Sequence, residues 1–247
     1  MATITDIGEV ASTISYLNEH ISEYGHGDIV ITHCQTAGRG QRGNSWEAEP
    51  GKNLTFSFVM RGLEVPAAEQ FCISEAVALA IANVLMRYVD GVKIKWSNDV
   101  YVDDRKICGI LIENTLLGSK ITCSTAGIGI NINQRDFLSS APNPVSLYQI
   151  TGKEYSLDLL IKEFAKELIA MVEPLRSSGY AEYARLLEAR YMEMLYRGDG
   201  KMYGFALPDG TRFEARISAV APDGKLTLTL ADGSERHFYF KEVSFVI

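Results

Sequence analysis

The residues with most to offer chemistry lie between Gln35 and Trp46, where Gly38, Arg39, Gly40, Gln41, Arg42 and Gly43 put three glycines and two arginines into one short loop. Glycine lets a backbone turn its N–H groups toward a ligand, and arginine adds charge-assisted donors beside them. The composition therefore suits an anion such as a triphosphate or an acyl phosphate. The spacing also satisfies G-x-G-x-x-G, the string of dinucleotide-binding folds, but that fold needs a helix opening at the third glycine to receive the pyrophosphate. Here Gly43 leads through Asn44, Ser45 and Trp46 to the turn pair Pro50-Gly51, which does not start a helix. The plain alternative for a lone glycine string is a mobile surface hairpin. A second candidate is Lys106, at the head of the apolar run Ile107 to Ile112, where an ammonium can reach into a cleft. Its plain alternative is a solvated lysine at a strand end.

Such groups need a scaffold, and the hydrophobic pattern predicts alternating helices and strands. Val10, Ile14, Leu17 and Ile21 recur at helical spacing, and Asp28 to Cys34 reads as a short strand that delivers the glycine loop. Leu54, Phe56, Phe58 and Met60 alternate with Thr55, Ser57 and Val59, which predicts a strand with one face in the core. Pro66 to Val89 reads as a long helix. Val92 to Trp96 and Asp99 to Val102 read as strands, Asp103-Asp104-Arg105 as a turn, Lys106 to Asn114 as the returning partner, and Ser119 to Asn131 as another strand. Helices follow over Ser156 to Arg176 and Tyr180 to Tyr196. Beyond Arg197 short alternating runs broken by Pro-Asp-Gly and Ala-Asp-Gly turns predict a small antiparallel barrel. Two domains result, 1–196 and 197–247.

Composition narrows the functions available. A chain of 247 residues with 47% hydrophobic content can bury one substantial core plus a small module. The net charge of −7 argues against a nucleic-acid partner, which needs a basic face. Cys34, Cys72, Cys108 and Cys123 form no C-x-x-C pair and read as four buried thiols in a reducing compartment. The N-terminus has no basic, apolar leader, and no apolar run reaches the roughly 18 residues of a membrane helix, so a cytoplasmic protein without a membrane partner is expected. His20, His26, His33 and His237 have no metal-ligand spacing, and no Ser-His-Asp or Cys-His arrangement stands out.

Three strings, QTAGRGQRGNSWEAEPGKNLTFSF from Gln35 to Phe58, KWSNDVYVDDRKICGILIEN from Lys95 to Asn114 and GIGININ from Gly127 to Asn133, together resemble the catalytic core of biotin protein ligases. The resemblance covers most of the chain up to Arg190 and, more loosely, the tail. It implies an α/β (α+β) fold, a mixed sheet with flanking helices related to class II aminoacyl-tRNA synthetase cores, followed by a small Src-homology-type β-barrel. It also implies a stand-alone enzyme: biotin and MgATP give biotinyl-5′-AMP and pyrophosphate, then a lysine of a biotin carboxyl carrier protein domain attacks the mixed anhydride. Because the chain begins almost at once with the catalytic helix, no DNA-binding unit is expected, and a homodimer through sheet edges is.

The resemblance distributes roles. Lys106 and Arg39 are the implied catalytic cations, Lys106 near both the carboxylate and the α-phosphate and Arg39 on the phosphates. Ser12, Thr13 and Gln35 are implied at the ureido ring of biotin, with Arg39, Gly40, Gln41, Lys106 and Gly109 completing the biotin site. Ser12 and Thr13 equally suit a helix N-cap. Arg39, Arg42, Trp46, Asn98 and Asn131 are implied at the nucleotide, although Trp46 also reads as a structural aromatic. Asp99 is implied at magnesium or as a base, with an ordinary salt bridge to Lys95 or Arg105 as the alternative. Gly109, Gly127 and Gly129 read as places where a strand lets ligand approach its backbone.

The chain departs from the family pattern at Ile14, where asparagine is usual, at Ser97 in place of proline, at Gln41 in place of arginine, and near Val246, where some relatives carry an arginine. One fewer loop cation at Gln41 implies looser retention of the adenylate, which a slower stopped-flow dissociation rate in Gln41→Arg checks. Two other functions share these features: a lipoate ligase, whose loop usually reads Arg-Arg-x-Ser-Gly-Gly, and a non-catalytic sensor of biotin or its adenylate. Retention of Lys106 and Arg39 argues against the sensor.

Overall fold

The computed structural model describes residues 3–41, 44–138 and 142–247. Two short strands, β1 (Ile4–Asp6) and β2 (Glu9–Val10), precede helix α1 (Thr13–Glu19), and β3 (Ile29–Thr32) and β4 (Cys34–Gln35) follow it. The helical stripe is shorter than its spacing predicts. Val10 is held in a parallel ladder opposite Gln35, and Ile21 falls in a 3-10 turn, so only Ile14 and Leu17 of the four are buried on α1.

Next come β5 (Leu54–Arg61), α2 (Phe71–Leu85), β6 (Val92–Lys95), β7 (Asp99–Val102), β8 (Arg105–Leu117) and β9 (Lys120–Ile130), then helices α3 (Leu147–Thr151), α4 (Leu157–Val172) and α5 (Tyr180–Met194). The main sheet runs β1-β3-β5-β9-β8-β7-β6; β1 and β3 are parallel and the other neighbours antiparallel. The interior strand β5 is buried on both faces, not one, because α1 covers the side that carries Thr55 and Ser57 while helices cover the other. Ser57 meets that cover with a hydrogen bond to the Thr13 hydroxyl at 2.9 Å, which satisfies two buried polar groups at once. Helix α2 is shorter than the segment Pro66 to Val89. Pro66 is extended and leads into a 3-10 turn, and the helix packs against α4 and α5 with nearly every residue buried.

The tail forms β10 (Tyr203–Ala206), β11 (Arg212–Val220), β12 (Leu226–Thr229), β13 (Glu235–Phe238) and β14 (Ser244–Phe245), a five-stranded antiparallel sheet ordered β13-β12-β11-β10-β14. Its Phe205, Leu226 and Leu228 belong to the same apolar core as Phe56 and Phe58 of β5. Trp96 donates its indole N–H to the Gly224 carbonyl at 3.0 Å, and the Phe71 N–H reaches Pro222 at 3.0 Å, so the tail is anchored beside the β6–β7 turn.

Candidate functional site

One cavity of about 620 Å³ opens on the face of the sheet covered by the start of α1, and it gathers residues from all three motif strings. Its floor is glycine. Gly109 of β8 and Gly129 of β9 are directly paired, and the Trp46 indole lies across both. A methyl group on Gly129 would overlap that ring, and one on Gly109 would come within 3.0 Å of it. Close approach to the backbone is what these glycines permit. Beside them Gly127 lies under Ile14, which supplies an apolar wall where the family pattern has asparagine.

Lys106 stands at the edge of this floor because of a β-bulge. Pairing between β7 and β8 jumps from Val100–Cys108 to Tyr101–Lys106, which leaves Ile107 as an extra residue. Strict alternation would set Lys106 and Gly109 on opposite faces; the bulge re-aims the lysine so that both line the cavity. Its backbone is clamped on both sides, its N–H by the Asn143 carbonyl at 2.8 Å and its carbonyl by the Val145 N–H at 2.9 Å. The ammonium pairs with Asp99 at 2.7 Å and lies 5.8 Å from the Trp46 ring centre. Asp99 thus forms an ion pair, but with Lys106 and not with Lys95 or Arg105. Among the described residues no three His, Cys, Asp or Glu side chains group to hold a metal. Asp99 is a lone carboxylate, a donor set suited to magnesium that keeps its waters and arrives on a triphosphate.

The far end of the cavity is polar. Ser12 occupies the N-cap position of α1 and is buried, yet its side chain makes no cap hydrogen bond. The Gln35 side chain takes that role, accepting the Thr13 N–H at 2.9 Å and the Thr13 hydroxyl at 3.4 Å. The Ser12 hydroxyl is not spent on the cap and lines the cavity. Asn131 donates to the Val145 carbonyl at 3.1 Å while its Oδ1 is buried without a partner, an acceptor position. Asn98 differs, since both ends of its amide are engaged, by Ser97 Oγ at 2.7 Å and by the Ile110 carbonyl. It ties the 96–98 turn to β8 with one hydrogen bond at each end of its amide, and it lines the cavity.

The glycine loop is a closed hairpin. Gly40 donates to the Asn44 carbonyl at 2.7 Å and Trp46 to the Gly38 carbonyl at 3.0 Å, so those two amides serve the hairpin and not an anion. Arg39 lines the cavity, but its guanidinium is turned to Glu113 at 2.9 Å and the Ser15 hydroxyl at 3.2 Å. Gly40 and Gln41 also line the cavity, and the Gln41 Oε1 is buried without a partner. Arg42 and Gly43 lie outside the described residues.

Sequence reasoning missed several lining residues. Thr55 was readable only as one polar position in an apolar strand, and Asn143, Pro144 and Phe137 carried no motif. Phe240 reaches the cavity from the tail and packs 6.3 Å from Trp96. Lys95 lines it too, its Nζ donating to the Tyr101 hydroxyl at 3.0 Å. All four cysteines are free; Cys34 is partly exposed, unlike the other three, because β4 lies in the small two-stranded ladder outside the main sheet. None of the four histidines lines the cavity.

The biotin/lipoate A/B protein ligase family model matches residues 8–131. The chain is 35% identical over 177 residues to the bifunctional ligase/repressor BirA of Escherichia coli, covering 70% of this chain and 54% of that protein. It is 32% identical over 182 residues to the biotin–[acetyl-CoA-carboxylase] ligase of Paracoccus denitrificans, covering 64% of this chain and 72% of that one. Among solved structures, the biotin protein ligase of Aquifex aeolicus in complex with biotin and ATP superposes with a TM-score of 0.77 at 21% identity, over 99% of this chain and 98% of that one. The chain thus spans little more than half the length of BirA and nearly the whole fold of the Aquifex protein.

Proposed function

We propose a reaction for a chain that belongs to the biotin/lipoate A/B protein ligase family: ATP-dependent activation of biotin as biotinyl-5′-AMP, then transfer to a lysine of a biotin carboxyl carrier protein domain. The observation that carries it is the convergence, in one cavity, of the Lys106–Asp99 pair at a glycine floor with the uncommitted Ser12 hydroxyl beside Thr13 and Gln35. The polar end suits a urea, whose carbonyl and two N–H groups need partners when buried. The glycine floor and Ile14 suit an apolar ring and chain.

In the first step a biotin carboxylate oxygen bonds to the α-phosphorus while the bond to the β-phosphate breaks, and pyrophosphate leaves with the electron pair. Lys106 offsets the repulsion between carboxylate and α-phosphate, which is strongest in the transition state. Arg39 leaves Glu113 to meet the phosphates as the hairpin closes over them. Asn131 Oδ1 accepts from the nucleotide, and Asp99 is the carboxylate that would meet magnesium, which would supply charge neutralisation to the triphosphate when bound. In the second step the carrier amine attacks the acyl carbon, AMP departs, and Asp99 takes the amine's proton. Residues 1–196 form the catalytic unit and 197–247 an appended unit that lends Phe240 to the cavity. The names of the Paracoccus and Aquifex relatives, a biotin–[acetyl-CoA-carboxylase] ligase and a biotin protein ligase in complex with biotin and ATP, support the same substrates. A cytoplasmic homodimer is the assembly this reading carries; no helix among the described residues is long and apolar enough to cross a membrane.

Pyrophosphate exchange into ATP, run with biotin, with lipoate and with neither, followed by intact mass of an added carrier domain, tests the assignment. Biotin-dependent exchange and a carrier heavier by one biotin, both lost in Lys106→Ala, are expected. Exchange with lipoate alone would make it a lipoate ligase, and biotin binding with no exchange would make it a sensor.

A further inference from the structure

Three cations line the cavity among the described residues, and two of them are paired. Arg39 holds Glu113 and Lys106 holds Asp99, while Lys95 has no carboxylate within ion-pairing distance. Its Nζ donates to the Tyr101 hydroxyl at 3.0 Å, lies 4.8 Å from the centre of the Tyr101 ring, and lies 5.3 Å from that of Phe245, which comes from the tail sheet. Tyr196 packs against both rings, at 5.4 and 6.0 Å, and closes the cage. Burial pushes the ammonium pKa down, against the pull of Asp99, and the neighbouring Lys106 and Arg197 push the same way. A half-buried ammonium with neutral partners is costly unless an anion joins it. Register puts Lys95 directly opposite Asp99 across β6 and β7, and Asp99 opposite Gly109 of β8, while the Asp99 side chain turns to Lys106.

We propose that Lys95 is a substrate-contacting cation for the polyphosphate of the nucleoside triphosphate, held in place by Tyr101 and capped by Phe245. This rests on the adenylating reading above. Lys106 serves the atoms that react; Lys95, two strands further out on β6, receives the charge that departs with pyrophosphate when the bond between the α-phosphorus and the bridging oxygen breaks. It transfers no proton. Its aromatic cage keeps the stem extended without spending the charge on a protein carboxylate.

The test separates the two half-reactions in Lys95→Met and Lys95→Arg. One assay is biotin-dependent pyrophosphate exchange; the other is transfer from preformed biotinyl-5′-AMP to a carrier domain, which involves no pyrophosphate. Lys95→Met is expected to raise the KM for pyrophosphate about tenfold, the loss typical of one charge-assisted contact, with transfer unchanged. Lys95→Arg, which keeps the charge, is expected to recover most of it. If Lys95→Met fails to fold, Tyr101→Phe, which removes only the hydroxyl that holds Nζ, is expected to raise the same KM and spare transfer. An unchanged KM, or equal losses in exchange and transfer, would overturn the proposal while wild-type exchange stands. Absence of exchange in the wild type would instead remove the adenylating reading beneath it.

Discussion

The two walls of the cavity are built on opposite principles. On the sheet side Lys106 is clamped between Asn143 and Val145, Asn98 is bonded at both ends of its amide, and the wholly buried Tyr191 donates to the Ser97 carbonyl at 3.1 Å. On the hairpin side two backbone hydrogen bonds close the loop, and Arg39 rests on a half-exposed pair with Glu113. In the proposed reaction the wall that presents charge to the transition state is the over-determined one, and the wall that admits the two substrates is held by contacts worth little in water. Trp46 joins them, since it belongs to the hairpin yet seats on the glycines of the sheet.

Substitutions on each side ought to behave accordingly. Lys106→Ala is expected to lower biotin-dependent exchange at least about a hundredfold, as loss of one preorganised charge-stabilising group commonly does, with little change in unfolding midpoint. Gly129→Ala, which displaces Trp46 from its seat, is expected to weaken biotin binding about tenfold and shift tryptophan fluorescence, an overpacking effect of roughly 1–3 kcal/mol. If Gly129→Ala leaves binding intact, the join between the walls has no consequence.

Beneath the fixed wall, α2 buries Glu75 at 4% exposure, and burial with the nearby Glu188 raises its carboxyl from 4.5 to about 8. Between those values the folded chain holds a proton that the unfolded chain has released, so raising the pH favours unfolding. Urea midpoints of the wild type are therefore expected to fall from pH 5 to pH 8, and Glu75→Gln to remove that component of the fall. The smallest effect belongs to the hairpin. Glu113→Gln releases Arg39 and is expected to lower the KM for ATP by no more than about threefold, since pairs of this exposure contribute at most about 1 kcal/mol. A rise in that KM would mean that Glu113 places Arg39 for the ligand instead of withholding it.

Much of the site is legible in residue types. Glycines at 109, 127 and 129 on strands announce a close approach, and Arg39, Lys106 and Asn131 lie on the cavity that their strings predict. Residue types left neighbours open. Ser12 suited the ureido site and a helix cap equally; it sits at the N-cap position, but Gln35 supplies the capping acceptor, which shows only when Gln35 is folded against Thr13. Lys95 read as a partner for Asp99; a cage drawn from β7, the end of α5 and the tail sheet makes it an unpaired cation.

What the sequence alone determined is the inventory and its order, because the period of two along a strand, the period of a helix and the freedom of glycine are local properties. Which inventory members meet was decided by register. A single extra residue, Ile107, turns Lys106 to the face of Gly109 and Asp99, and that bulge follows from how β7, β8 and β9 pair. Phe240 and Phe245 reach the site only because the tail packs at Trp96 and Phe71. Pairing and docking are long-range balances of burial and hydrogen bonding, and no window of neighbouring residues contains them.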